Sequence, residues 1–350
     1  MKIAIIHNQY SQAGGMEAYM LSLVKGFLAD GDQVSIYAYE VNRELAAQSS
    51  CIIYQPSLLP LPGRWKKYHF LHLCNTRFKR ESYDITLSLT RTSCQDIAVC
   101  GGVHPETIRR INRSSLFRWL HDKIEIYFEK KMFATVPLIM AHSKAISREI
   151  MAHYSVAEAK IKTIYPPIDT DKFFPADNKT IKATRKELQI DEKKITFLLP
   201  SCGHQCKGLT QLLAAFKILD PGKYELLVAG TKIPYAHPEN CRYIGYIPNL
   251  APVYSAVDFT ILPSDYEAFG LVIPESLQCG TPVITTAEVG ATELLSPRDG
   301  IILSDNRPET IARTIQGLST TFAVTDNFAQ THGLTIGQHI NTIKKLFGKS

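Results

Sequence analysis

The sequence predicts an α/β protein built from two doubly wound domains that face each other across a cleft. Three observations carry that expectation: a strand–loop–helix–strand opening, a second α/β alternation later in the chain, and a two-proline break between them. A length of 350 residues also suits about two domains. The opening unit begins with Lys2 to Ile6, a β-branched apolar run expected to form a buried strand. Residues 11–15 are a small loop ending in glycine, and a helix starts at Met16. In that helix Tyr19, Met20, Leu23, Phe27 and Leu28 recur at helical spacing, and Gly31 ends it. Residues 33–39 alternate as the next strand, which completes a βαβ half-unit and implies parallel pairing.

Further strands are expected at 85–89, 97–99 and 138–141, with helices at 116–133 and 143–153. Ile161-Lys162-Thr163-Ile164 then leads into Tyr165-Pro166-Pro167-Ile168-Asp169. Two prolines there continue neither a helix nor a strand. The domain boundary is therefore expected at this point, giving an N-terminal domain of residues 1–168 and a C-terminal domain of residues 169–335. The second alternation has strands at 195–199, 225–229, 242–244, 259–262 and 283–286, with helices at 209–219, 250–257 and 271–279. From residue 306 the tail reads as weaker helices. The last one, within residues 336–350, is expected to be able to return to the first domain.

Hydrophobic residues make up 45% and charged residues 21% of the chain, which excludes a disordered or collagen-like protein. No apolar run is long enough to cross a bilayer, and the N-terminal apolar run is too short for a signal peptide. A cytosolic protein is expected, with its eight scattered cysteines reduced. The net charge of +6 is uneven: 21 Lys and Arg stand against 14 Asp and Glu up to Ile168, and 18 against 19 beyond it. The cations of the first half cluster with aromatics at Arg64-Trp65-Lys66-Lys67-Tyr68-His69, at Arg77-Phe78-Lys79-Arg80, and from Arg109-Arg110-Ile111-Asn112-Arg113 to Arg118-Trp119. They are either a solvated face or a contact with anionic lipid, and the asymmetry favours a peripheral place on the inner face of the plasma membrane. No nucleic-acid recognition fold is evident, so no nucleic-acid partner is expected.

The segment richest in chemistry is Pro263-Ser264-Asp265-Tyr266-Glu267-Ala268-Phe269-Gly270-Leu271-Val272-Ile273-Pro274-Glu275. It follows a strand and opens a helix, the place where ligands bind in open α/β sheets. Amides of Gly270 and Leu271 at a helix N-terminus suit a diphosphate. Glu275 lies roughly 7.5 Å further along the helix axis, the step from a pyrophosphate to a ribose diol. Glu267 precedes the helix and can address the hydroxyls of a sugar on the other side of the phosphates.

These two glutamates around Phe269-Gly270, followed by Gly280-Thr281-Pro282-Val283, resemble the signature of the retaining glycosyltransferases of family 4. Four further motifs occur in the family's order: Gly14-Gly15-Met16-Glu17, Tyr165-Pro166-Pro167-Ile168-Asp169, Lys207-Gly208, and Gly290-Ala291-Thr292-Glu293-Leu294. The resemblance implies the GT-B fold and transfer of a hexosyl unit from a nucleotide-sugar, most simply a UDP-sugar. It implies a ribose role for Glu275, contact with the transferred sugar for Glu267, and phosphate amides from Gly270 and Leu271. Lys207 would neutralise the leaving diphosphate, and Gly15 would let the first domain's loop approach it. His104, in Cys100-Gly101-Gly102-Val103-His104, resembles the family's active-site histidine near the sugar. Front-face transfer of this kind needs charge stabilisation on the diphosphate and neither a metal nor another cofactor. Within the family the chain is similar to the lipopolysaccharide core glucosyltransferase I group, which implies a glycolipid acceptor.

One departure is Cys202, where many family members carry an arginine ahead of the lysine. Cys202, His204 and Cys206 lack a fourth ligand and the usual zinc spacing, and Asp169-Thr170-Asp171 reads as a turn in the linker. Other readings stay open: a family-4 enzyme with a soluble acceptor such as an inositol, another sugar or a protein; a nucleotide-sugar epimerase; and a non-catalytic sensor. A nicotinamide dehydrogenase is disfavoured, because no Gly-x-Gly-x-x-Gly follows the first strand.

Overall fold

Alternating buried strands and helices divide the chain, in a computed structural model that describes residues 1–12, 14–110, 116–318 and 322–348, into two units. One is Met1–Pro167 with Ile336–Ser350, and the other is Ile168–Thr335. Among the described residues the first unit has nine strands: β1 (Lys2–Ile6), β2 (Gln9–Tyr10), β3 (Gln33–Tyr37), β4 (Glu40–Val41), β5 (Ile52–Tyr54), β6 (Ile85–Ser88), β7 (Ile97–Cys100), β8 (Leu138–Ala141) and β9 (Ile161–Thr163). Seven of them form one sheet in the order β5-β3-β1-β6-β7-β8-β9. All its neighbours pair in parallel. The short pair β2–β4 stands apart. The central strands β1, β6 and β7 are apolar and almost wholly buried, as a sheet covered by helices on both faces requires.

The helix Gly15–Ala29 packs Tyr19, Met20, Leu23, Val24 and Phe27 into this core. The last helix, Ile336–Lys345, joins the same core through Ile340 and Ile343. The two helices approach closely because residue 26 is glycine: a Cβ there would lie 2.5 Å from a side-chain carbon of Ile340. Lys344 also pairs with Asp30 and, at 2.6 Å, with Asp32.

The second unit carries β10 (Ile195–Ser201), β11 (Tyr224–Gly230), β12 (Cys241–Tyr243), β13 (Phe259–Leu262), β14 (Val283–Thr286) and β15 (Gly300–Leu303). Their order is β12-β11-β10-β13-β14-β15, again parallel throughout. This is the doubly wound arrangement, in which the order reverses between β10 and β13. Ile168 enters the unit beside its exit: its N–H donates to the Leu334 carbonyl at 2.7 Å.

Some expected elements end elsewhere. Residues 33–39 stop as a strand at Tyr37, and the helix read over 271–279 spans Val272–Gln278. The edge strands β5 and β15 and the helices Gly63–Arg77 and Asn178–Glu187 were not expected from the sequence.

Candidate active site

At the switch point of the second unit, one loop leaves the carboxyl end of β10 (residues 202–208) and another leaves β13 (residues 263–271). The Asp265 N–H donates to the Cys206 carbonyl at 3.0 Å. Gly208 has φ +69°, and a Cβ on it would sit 2.1 Å from the Pro263 carbonyl oxygen. Both the dihedral and the contact demand glycine. Held this way, the loops bring the Lys207 ammonium to 3.1 Å from a Glu267 carboxylate oxygen, each side chain about one-fifth exposed.

Glu267 is pinned through its backbone. Its N–H donates to the Glu288 carbonyl and its carbonyl accepts from the Gly290 N–H, both at 3.0 Å, while Ala291 N–H donates to the Phe269 carbonyl at 2.7 Å. Gly270, at φ +83°, lies so close to Val289 that a Cβ would meet its side chain at 2.8 Å. The Gly290-Ala291 motif is therefore a backbone clamp on the glutamate loop, and Gly270 and Leu271 turn the chain from that clamp into the helix Val272–Gln278.

Glu275 accepts a hydrogen bond from the Tyr254 hydroxyl at 3.1 Å. Tyr254 is fully buried, and its own carbonyl accepts from the Thr281 hydroxyl at 2.5 Å. The Ser276 hydroxyl donates to Thr260 at 2.8 Å, which fastens the helix to β13. Burial pushes the Glu275 carboxyl up to about 7, while the Tyr254 hydroxyl and the charges of Lys172 and Lys207 pull it down. Lys207 thus acts on both glutamates. Tyr254 and Lys172 escaped the sequence reading, since neither lies in a motif and each meets Glu275 only in the fold.

Gly15 and His104 belong to the first unit. Gly15 opens its helix, exposed and with open space where a Cβ would point. Beside it the Glu17 carboxylate accepts from Gln9 Nε2 at 2.8 Å and contacts His7 Nε2 at 3.2 Å. His104 begins the helix His104–Arg110 that follows β7. Its Nε2 lies 2.9 Å from Asp122 Oδ1, and its backbone N–H donates to Glu129 at 2.8 Å.

Cys202 and Cys206 are both exposed. His204 has spent its ring nitrogens: Nε2–H donates to the Thr231 carbonyl at 3.0 Å, and Nδ1 accepts from the Ser201 hydroxyl at 2.8 Å. Among the described residues no group of three His, Cys, Asp or Glu side chains gathers as metal ligands would. Asp169 receives the Asp171 N–H on its side chain at 3.2 Å and the Lys172 N–H on its carbonyl at 3.0 Å, a turn.

The basic clusters are not uniform surfaces. Lys67 turns inward to Glu125 at 2.6 Å, and Tyr68 donates to the same carboxylate at 3.0 Å. Arg80 is paired with Asp96. Arg113 lies outside the described residues, as does the side chain of Arg110.

Residues 13–172 match the family model Glycosyltransferase Family 4, and residues 180–321 match Glycosyl transferases group 1. A protein of Burkholderia thailandensis named "Probable transglycosylase" is 28% identical over 304 residues, 87% of this chain and 82% of that protein. A D-inositol 3-phosphate glycosyltransferase of Kribbella flavida is 27% identical over 196 residues, 49% of this chain and 45% of that protein. Among solved structures, Anabaena HepE in complex with UDP and glucose superposes with a TM-score of 0.77 at 15% identity, covering 100% of both chains. WaaG, a glycosyltransferase involved in lipopolysaccharide biosynthesis, gives 0.77 at 16% identity, covering 97% of this chain and 95% of that one. The fold is therefore GT-B, two Rossmann-like lobes, of the kind found in family-4 glycosyltransferases. Its activity is glycosyl transfer.

The loop contact at Gly208 makes a direct prediction. Gly208→Ala should destabilise the protein by more than about 1–2 kcal/mol, the ordinary left-handed penalty, because the Pro263 carbonyl also stands in the way. A thermal midpoint equal to wild type would show that the two loops are not locked together there.

Proposed function

We propose that the protein is a retaining hexosyltransferase that moves a sugar from a UDP-sugar to a hydroxyl of a soluble acceptor, such as a cyclitol or another sugar. The observation that carries this reading is the group Lys207, Glu267 and Glu275 at the switch point of the second lobe. In it Glu275 accepts from the ribose diol, Gly270 and Leu271 amides meet the diphosphate, and Lys207 balances the charge left when the bond from sugar to phosphate breaks. Glu267 faces the transferred sugar. From the first lobe, the family resemblance assigns His104 a sugar-side role and Gly15 an approach to the diphosphate. The acceptor oxygen bonds to the anomeric carbon on the face the diphosphate leaves, and its proton passes to a phosphate oxygen.

UDP as the donor's nucleotide is supported by the HepE complex. A soluble acceptor is supported by the relatives named for D-inositol 3-phosphate, among them those of Kribbella flavida and Geodermatophilus obscurus. UDP release from a panel of UDP-sugars, alone and with candidate acceptors, tests the reading; no UDP release from any donor would overturn it.

Glu267 and Lys207 neutralise each other in the absence of donor, so Glu267 competes with the diphosphate for the ammonium. Glu267→Gln should bind UDP about two- to fivefold more tightly, as loss of a partly exposed ion pair implies, while turnover falls steeply. Weaker UDP binding by calorimetry would remove Glu267 from the sugar side.

The raised carboxyl of Glu275 gives the donor site a pH dependence. Below about 7 the group is protonated and offers the ribose one fewer acceptor; above it the carboxylate accepts from both hydroxyls. Affinity for a UDP-sugar, which has no phosphate group titrating in this range, should rise between pH 6 and pH 8 and be flat in Glu275→Gln. An equal rise in both proteins would place the titrating group elsewhere.

A second reading, a glycolipid acceptor such as lipopolysaccharide core with the enzyme peripheral on the inner face of the plasma membrane, is favoured by one surface. The helices Gly63–Arg77 and Leu116–Thr135 expose Trp65, Phe117, Trp119 and Leu120 near their N-terminal ends, Phe117 at 87%. Arg64 and Lys66 are exposed beside Trp65, and Lys123 lies over the Trp119 ring at 5.7 Å. On the soluble-acceptor reading, vesicles of acidic lipid should not retain the protein at physiological salt. Sedimentation with such vesicles that weakens as salt rises and is lost in Phe117→Ser with Trp119→Ser would establish the glycolipid reading instead.

A further inference from the structure

His104 is held from three sides by a single helix, Leu116–Thr135. Asp122 Oδ1 lies 2.9 Å from its Nε2, and the His121 ring stacks on it with centroids 5.9 Å apart and planes at 18°. Glu129, two turns further on, accepts its backbone N–H at 2.8 Å. That helix face cannot turn. Glu125 pairs with Arg91 at 2.7 Å and Lys67 at 2.6 Å, and Glu129 pairs with Arg91 at 2.9 Å and with the Tyr154 hydroxyl. The His104 and Asp122 side chains are only 13% and 16% exposed, so their contact is not a loose surface pair.

A carboxylate can only accept, and a neutral imidazole has one donor and one acceptor nitrogen. With Asp122 at Nε2 the proton must sit there, and Nδ1 becomes the acceptor in the neutral ring or a second donor in the cation. We propose that Asp122 is a positioning residue for His104, fixing its imidazole in the Nε2–H form so that Nδ1 alone is presented to the transferred sugar. This rests on the sugar-side reading of His104.

The test uses the full chain with Asp122→Ala, Asp122→Asn, His104→Ala and the double variant of Asp122→Ala with His104→Ala. Measured are UDP release from the UDP-sugar the panel selects, UDP affinity by calorimetry, the thermal midpoint, and nitrogen-15 shifts of the His104 ring. Asp122→Ala should lower kcat by about tenfold or more, within the range a positioned acid–base group supplies. It should leave UDP affinity and the midpoint unchanged, and move the ring from the Nε2–H pattern toward an average of the two forms. Asp122→Asn, whose amide oxygen can still accept, should recover much of the rate. The double variant should be no slower than His104→Ala.

Wild-type turnover in Asp122→Ala beside an impaired His104→Ala would overturn the positioning role alone. So would a fall in UDP affinity and midpoint in step with the rate, which marks a merely structural role. His104→Ala at wild-type turnover would overturn the sugar-side reading, and the proposal with it.

Discussion

Parallel pairing of β10 with β13, at Phe197 opposite Phe259 and Leu198 opposite Thr260, is the constraint on which the candidate donor site depends. These strands are apolar because helices cover both faces, and the rings of Phe197 and Phe259 stack 5.6 Å apart at their start. The strand order reverses there, the place where open α/β sheets leave a crevice for ligands, and in this chain the two loops also touch, the Asp265 N–H donating to the Cys206 carbonyl. Gly208 makes the meeting close enough for backbone to touch backbone. Lys207 and Glu267 are neighbours as a consequence. The lysine then serves two acids, one paired directly and one buried enough to resist ionisation near neutrality.

The first lobe organises its polar residues differently. Its candidate residue, His104, meets Asp122 on a helix whose inward face also carries Glu125 and Glu129, and those two glutamates have Arg91 and Lys67 as counter-charges. Buried ions of this kind cost desolvation and hold only when every charge is matched. Removing one member would strand another, so such a network contributes more to a defined geometry than to net stability.

How much of this could be read in the chain follows from range. The central strands β1, β10 and β13 are apolar runs bounded by loops, and local pattern suffices to place them. Glu267, Gly270 and Glu275 lie in one short segment, so their spacing around a strand-to-helix turn was visible. β5 was not, because an edge strand of three half-exposed residues has neither a buried run nor clean alternation. The helix Gly63–Arg77 was hidden by its composition: Lys67 looks like one more surface cation until Glu125, 58 positions away, is seen to take it inside. Tyr254, Asp122 and Glu129 were illegible for the same reason, since each matters through a partner supplied by another element.

The last helix has a bearing on how the chain is made. Ile340 and Ile343 complete the first lobe's core, yet they are translated only after every residue of the second lobe. A ribosome extends the chain at roughly 5–20 residues per second, so the second lobe has its whole sequence in hand first. Until Ile336–Lys345 emerges, the face of the helix Gly15–Ala29 around Gly26 stays uncovered. During that interval Met20, Leu23 and Phe27 lack two of the side chains that share their core in the finished lobe.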